Sequence, residues 1–251
     1  MKITRFLLLA AILTAGNAAA AFAAEIKVLG ANPLQEGLHL IAERYKRETG
    51  HDVNVQIATT GELNKILAAG AGGADILIGT TAMADQLVKE NKVAGSKIVV
   101  ARVGIGVIVR SGAPVPNVAT AEAIKQAALA ADGVVYNTAG SGQSVQRMFD
   151  QMGISEQIKA KSARPGNAAQ TMDRMMQGKG NEIGFGLLSE IKPYEGKGIQ
   201  LAGRLPENIQ AYTNYEAVVF AGSKAAGVAK EFIQHLATPA AKQIFASTGV
   251  D

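Results

Sequence analysis

The sequence predicts an α/β protein whose sheets carry parallel strands. Two observations lead there. Short apolar runs alternate along the chain with longer amphipathic segments, which is the signature of strand–helix–strand units. The chain has 251 residues, 48% of them apolar, enough for a sizeable core in one large domain or two lobes of roughly 100 residues each.

The elements follow in order. Ile26 to Ala31 is a buried-strand run, and Pro33 to Glu48 is a helix with Leu34, Leu38, Ile41 and Tyr45 at helical spacing, stopped by Gly50. Val53, Val55 and Ile57 alternate as a strand; Glu62 to Ala69 is a helix ended by Gly70. Ala74 to Gly79 is a strand, Met83 to Glu90 a helix, and Lys97 to Arg110 one long β-type run ended by Ser111-Gly112-Ala113-Pro114. Helices are expected over Thr120–Ala130, Gly142–Met152 and Ala168–Gln177, and strands over Val134–Asn137, Glu182–Leu187 and Ala217–Ala221. The chain closes on helices over Ala225–Leu236 and Ala240–Ala246, the last introduced by Thr238-Pro239 as cap and first-turn proline.

The N-terminus reads as a cleavable secretory leader over residues 1–23. Lys2 and Arg5 form a positive start, Phe6 to Leu13 a short apolar core, and Ala21-Phe22-Ala23 a small-x-small site that places cleavage before Ala24. The apolar stretch is too short for a hydrocarbon core that takes ~20 residues. An exported protein in the periplasm is expected. Removing Lys2 and Arg5 lowers the formal charge of +4 by two, and no basic run exceeds two residues, so no nucleic-acid footprint is present. The absence of Cys excludes a disulfide framework, a thiolate metal site and cysteine catalysis.

Catalytic and metal patterns are sparse. His39, His51 and His235 stand alone, without metal-ligand spacing, and neither a Walker loop nor a G-x-S-x-G elbow occurs. No cofactor is implied. Ser189-Glu190-Ile191-Lys192 matches S-x-x-K, so an exported acyl-transfer enzyme using Ser189 and Lys192 is the rival reading, although the companion S-D-N is missing. A sensor module without transport is a third. Met172, Met175 and Met176 lie at helical spacing as core or cleft lining.

Strand-to-helix loops are where such sheets bind ligands. Four of them hold small residues, hydroxyls and amides and no Asp or Glu: Gly30–Pro33, Ala58–Gly61, Asn137–Ser144 and Arg164–Asn167. Helix N-termini meeting there present unpaired N–H groups to an anion. The candidate ligand contacts are Asn32, Thr59, Thr60, Ser141, Gly142, Ser144 and Asn167, with Arg102 as counter-charge. Each also has a plainer role: Asn32 and Ser141 can cap their helices, Thr59 with Glu62 fits a capping box, and Arg102 can face solvent at a strand edge. With seven Phe, five Tyr and no Trp, the chain offers little stacking surface, which favours a small polar ligand.

The segments Ile26-Lys27-Val28-Leu29 with Ala31-Asn32, Glu48–Val53, Thr59–Leu63, Ala74–Ile78, Arg102–Val107, Gly140-Ser141-Gly142 and Glu182–Phe185, in this order, resemble the periplasmic molybdate-binding proteins, part of the type II solute-binding proteins of ABC transporters. The resemblance covers the whole mature chain. It implies two α/β lobes of mixed sheets flanked by helices, with a ligand cleft between them: residues 24–101 plus 212–251, and residues 102–211. It implies capture of a small anion, a monomer, and delivery to an inner-membrane ABC permease. Family members that hold molybdate do so with a serine after the first strand, another after the second, and a late tyrosine. Here the first loop reads Ala31-Asn32-Pro33, the second keeps Thr59 and Thr60, and the late strand reads Gly184-Phe185-Gly186-Leu187. Two of the three contacts are altered, so a small di- or tricarboxylate stands beside an oxyanion as the expected ligand.

Overall fold

The computed structural model describes residues 23–251. Almost all of the expected leader therefore lies outside the described residues.

The first sheet contains β1 (Glu25–Ala31), β2 (Asp52–Ala58), β3 (Ile76–Thr80), β4 (Ile98–Val103) and the late strand Thr213–Val219. The second contains β5 (Ile105–Arg110), β6 (Gly133–Tyr136), β7 (Ser162–Ala163), β8 (Glu182–Leu187) and β9 (Ile199–Arg204), so the late strand of the first sheet is β10. Their orders are β2-β1-β3-β10-β4 and β7-β6-β8-β5-β9. In each sheet four strands run in one direction, and β10 or β5 runs antiparallel to its two neighbours. The sheets are thus mixed, because the chain crosses between them twice.

The first crossing corrects the sequence reading. The single β run expected over Lys97–Arg110 is two strands in different sheets, separated at Gly104. A Cβ on Gly104 would stand 3.2 Å from the Gln210 amide. That amide bridges the two crossings: Gln210 Oε1 accepts from Ile105 N–H at 2.8 Å, and Nε2 donates to the Ile105 and Leu205 carbonyls. β9 had no counterpart in the sequence reading, since its pattern of one buried and several half-exposed residues carries no clear alternation.

The helices bury one face each. α1 (Gln35–Thr49) buries Leu38, Ile41 and Tyr45 and ends on Gly50 at φ 78°, the left-handed geometry that glycine adopts without a Cβ penalty. Tyr45 packs edge-on against Phe232 of α9 (numbered in chain order; Ala226–Leu236) at 5.1 Å. Burying a side chain of this size contributes roughly 1.5–3 kcal/mol. The remaining helices are α2 (Thr60–Ala68), α3 (Thr81–Lys89), α4 (Ala121–Ala130), α5 (Gly140–Gln151), α6 (Ser155–Ile158), α7 (Ala168–Gln177), α8 (Leu188–Ile191) and α10 (Pro239–Ser247). Thr238 caps α10 by accepting from Ala241 N–H, with Pro239 in the first turn as the sequence indicates. Met172 and Met175 are fully buried in the second sheet's core.

Candidate functional site

The carboxyl ends of β1 and β8 face each other across the two sheets. β1 ends at Ala31, and Asn32–Leu34 form a single 3-10 turn. β8 is buried along its whole length and runs directly into the one-turn helix α8, with Ser189 and Glu190 in it. Asn32 Nδ2 donates to Glu190 Oε1 at 3.5 Å, the long end of hydrogen-bonding reach. Asn32 does not cap a helix: the cap position is Ala31, and no side chain bonds there.

Glu190 changes the character of the cleft. The four loops singled out in the sequence are acid-free, but this fifth strand end brings a carboxyl to the first of them, at Asn32. As a residue Glu190 is half-buried, while its carboxyl is enclosed. Burial pushes its pKa up to about 7, against a smaller lowering by the Asn32 amide. Among the described residues no cation pairs with it. Tyr215 of β10 is buried close by; desolvation raises its phenol pKa, and the Glu190 charge raises it further. The Ser189 hydroxyl is buried without a hydrogen-bond partner.

Lobe-two loops are organised by a residue the sequence reading did not single out. Asn137, buried just past β6, accepts at Oδ1 from the N–H groups of Ala139 and Gly142, and its Nδ2 donates to Ser141 Oγ at 3.2 Å. A Cβ on Gly142 would lie 1.7 Å from the Asn137 carbonyl oxygen, so this turn requires glycine. The expectation that Ser141 caps its helix is corrected. α5 starts earlier, at Gly140, and Ser141 sits buried in its first turn. Ser144 Oγ donates to the Gly140 carbonyl and accepts from Arg147.

Other candidates take up backbone roles. Thr59 Oγ1 accepts from Glu62 N–H and donates to Glu62 Oε2 at 2.7 Å, and Glu62 accepts from Thr59 N–H, a complete capping box. These bonds hold the Glu62 pKa below its ordinary value. Thr60 is exposed in the first turn of α2. Asn167 caps α7 by accepting from Gln170 N–H. Arg102 is exposed near the end of β4, its guanidinium 4.3 Å from the Tyr212 ring centre, and its backbone pairs with Asp251. Lys192 bonds Glu195 at 3.2 Å and makes no bond to Ser189, so the S-x-x-K pair is not assembled.

A cavity of about 680 Å³ lies at the other end of the first sheet, around Lys27, Asp75, Lys92 and Ser223. Of its two carboxylates, Glu25 and Asp75, the second is already used: Asp75 accepts from Lys27 N–H and from Ser223 Oγ. The loops between the sheets, with an unpaired carboxyl and an unpartnered hydroxyl, are the chemically open site.

Comparisons with known proteins show the family and the fold. The family described as bacterial extracellular solute-binding protein matches residues 26–251. An aconitate isomerase of Pseudomonas sp is 27% identical over 231 residues, covering 90% of this chain and 87% of that protein. A substrate-binding domain assigned to a molybdenum ABC transporter of Clostridium difficile superposes with a TM-score of 0.77 at 17% identity, over 91% of this chain and 99% of the other. The periplasmic molybdate-binding protein of Azotobacter vinelandii gives 0.71 at 16% identity, over 90% and 98%. At these identities the two structures share the fold.

Proposed function

We propose that this chain, which belongs to the bacterial extracellular solute-binding proteins, captures a small polycarboxylate in its interlobe cleft and delivers it, as a monomer, to an inner-membrane ABC permease. The observation that carries the ligand class is Glu190 opposite Asn32. A carboxyl with its pKa raised to about 7 takes up a proton when an anion approaches, and then donates a hydrogen bond to it. A ligand carboxylate is a weak base suited to share that proton. Molybdate or sulfate is served better by neutral hydroxyls and amides, and two of the three such contacts expected of a molybdate site are altered here. The aconitate isomerase relative supports an unsaturated tricarboxylate as the ligand. The ligand set we carry forward is Asn32, Thr60, Ser141, Ser144 and Glu190, together with the N–H groups of α2 and α5, which favour negative charge.

A thermal-shift screen tests this with trans-aconitate, cis-aconitate, citrate, molybdate, tungstate and sulfate. A ligand at ~100 times its dissociation constant adds roughly 2.7 kcal/mol, a shift of several degrees for a chain this size. A response to tricarboxylates without one to oxyanions is expected; a response to molybdate alone overturns the ligand class. Arg102→Ala, titrated calorimetrically with the same tricarboxylate, decides its role: a tenfold loss keeps it as counter-charge, and unchanged affinity assigns it to the Tyr212 stack.

A further inference from the structure

β8 carries a glutamate near each end, and the two are treated differently. At its amino end Glu182 is buried and held by Arg174, whose Nη1 donates to Oε2 at 2.8 Å and whose Nη2 donates to Oε1. That is a structural carboxylate: both oxygens face one guanidinium, and its charge is matched. Just past the carboxyl end, the one hydrogen bond to Glu190 among the described residues comes from the Asn32 amide, after β1 of the first sheet, at 3.5 Å. A structural role gives no reason to enclose a carboxyl without a cation, because an unpaired buried charge is costly. The side chain stands where strand ends of the two sheets meet, and the neighbouring residue in the chain, Ser189, buries a hydroxyl without a partner.

We propose that Glu190 is the acid–base residue of a carbon-acid proton shift, exchanging a proton between the two ends of the allylic system of a bound unsaturated tricarboxylate. This rests on the reading of the cleft as a polycarboxylate site. The step balances without a cofactor. The ionised Glu190 oxygen takes a proton from the methylene lying between a carboxylate and the double bond, so that C–H bond breaks. Its electron pair forms a new double bond to the central carbon. The pair of the former double bond accepts a proton from Glu190 at the distal carbon, where a C–H bond forms; while Glu190 holds the proton it exchanges with solvent, so deuterium can replace it. Nothing is oxidised or reduced, and Glu190 returns to its starting state. A group that both removes and returns a proton works best with its pKa near the working pH, and burial holds Glu190 at about 7. Asn32 is a positioning residue: its amide fixes one carboxyl oxygen and leaves the other for the ligand.

The test uses the purified protein with trans-aconitate in D₂O, followed by proton NMR, alongside calorimetric titration of the same ligand. The wild type is expected to bind, to lose proton signal at the methylene as deuterium enters, and to form the cis isomer. Measured at saturating ligand, Glu190→Gln should lose exchange by about 100-fold or more, the usual worth of general acid–base catalysis. Glu190→Asp, which keeps the carboxyl, should restore part of the rate, and kcat/KM should follow a group titrating near neutrality. Binding by the wild type without exchange or isomerisation overturns the catalytic role and leaves the capture reading standing. Exchange at the wild-type rate in Glu190→Gln assigns the proton to another group and overturns the proposal. Absence of calorimetric binding removes the capture reading and this inference with it.

Discussion

Replacing Glu190 by Gln should make the protein more stable at neutral pH, and the gain should vanish in acid. The carboxyl titrates at its ordinary 4.5 in the unfolded chain and at about 7 in the fold. Because the folded state holds the proton more tightly, its contribution to stability is fully present below pH 4.5 and is lost as pH rises through 7. A displacement of about 2.5 units, at 1.36 kcal/mol each, makes that loss about 3 kcal/mol. Gln keeps the shape and the Asn32 contact without a charge to desolvate. The stability of Glu190→Gln minus that of wild type should therefore rise by about 3 kcal/mol between pH 4.5 and 8, or roughly 6–12 °C in melting temperature. Differential scanning calorimetry of both proteins at matched pH measures it, and the difference between them cancels the other carboxylates. A difference that stays constant across this range would show that the Glu190 carboxyl is solvated and that no burial shift exists.

Gly142→Ala should cost about 3 kcal/mol or more in urea unfolding, because a Cβ 1.7 Å from the Asn137 carbonyl oxygen must displace backbone. Thr59→Ala should lose about 1 kcal/mol of stability with ligand affinity unchanged, since its hydroxyl serves the capping box. Arg174→Ala leaves Glu182 buried without its guanidinium and should destabilise by roughly 1–3 kcal/mol, water reaching the half-exposed pair from one side; ligand titration should show no change in affinity. Asn32→Ala removes the one hydrogen bond that lowers the Glu190 pKa, so the midpoint of that residue's titration, read by difference infrared spectroscopy against Glu190→Gln, should move to higher pH.

Much of the fold is legible in the sequence because its signals are local. The apolar run at Ile26–Ala31, Gly50 after α1, the Thr59–Glu62 box and Thr238-Pro239 each act within a few residues, and each stands where it was expected. What the pattern could not show is which sheet a β residue joins. Val103 and Ile105 are both buried and read as one strand, yet they pair with β10 and β8 respectively. The site shows the same limit. Hydroxyls and amides at helix starts are visible as candidates, but Thr59 and Asn167 spend theirs on their own helices. Glu190 lies inside a short motif that drew attention to Ser189 and Lys192 instead. The signal that finds it is an acidic residue three positions past the end of a strand with no polar side chain from Ile183 to Leu187, at the carboxyl end where such sheets bind ligands.

A binding fold needs little to become catalytic when the reaction is a proton shift. The two sheets are joined at Gly104 and at the Gln210 bridge, and a ligand held between their strand ends would be shielded from water at the reacting carbon. Helix N-termini supply the positive potential that a delocalised carbanion needs as charge spreads onto its carboxylates. The remaining requirement is one group able to hold a proton briefly near neutral pH. A lysine or arginine beside Glu190 would pull its pKa down and make it a poor base. An amide in place of the cation leaves burial to set the pKa. The choice of Asn32 across the cleft, rather than a basic residue, is thus what separates a proton-carrying carboxyl from a structural one.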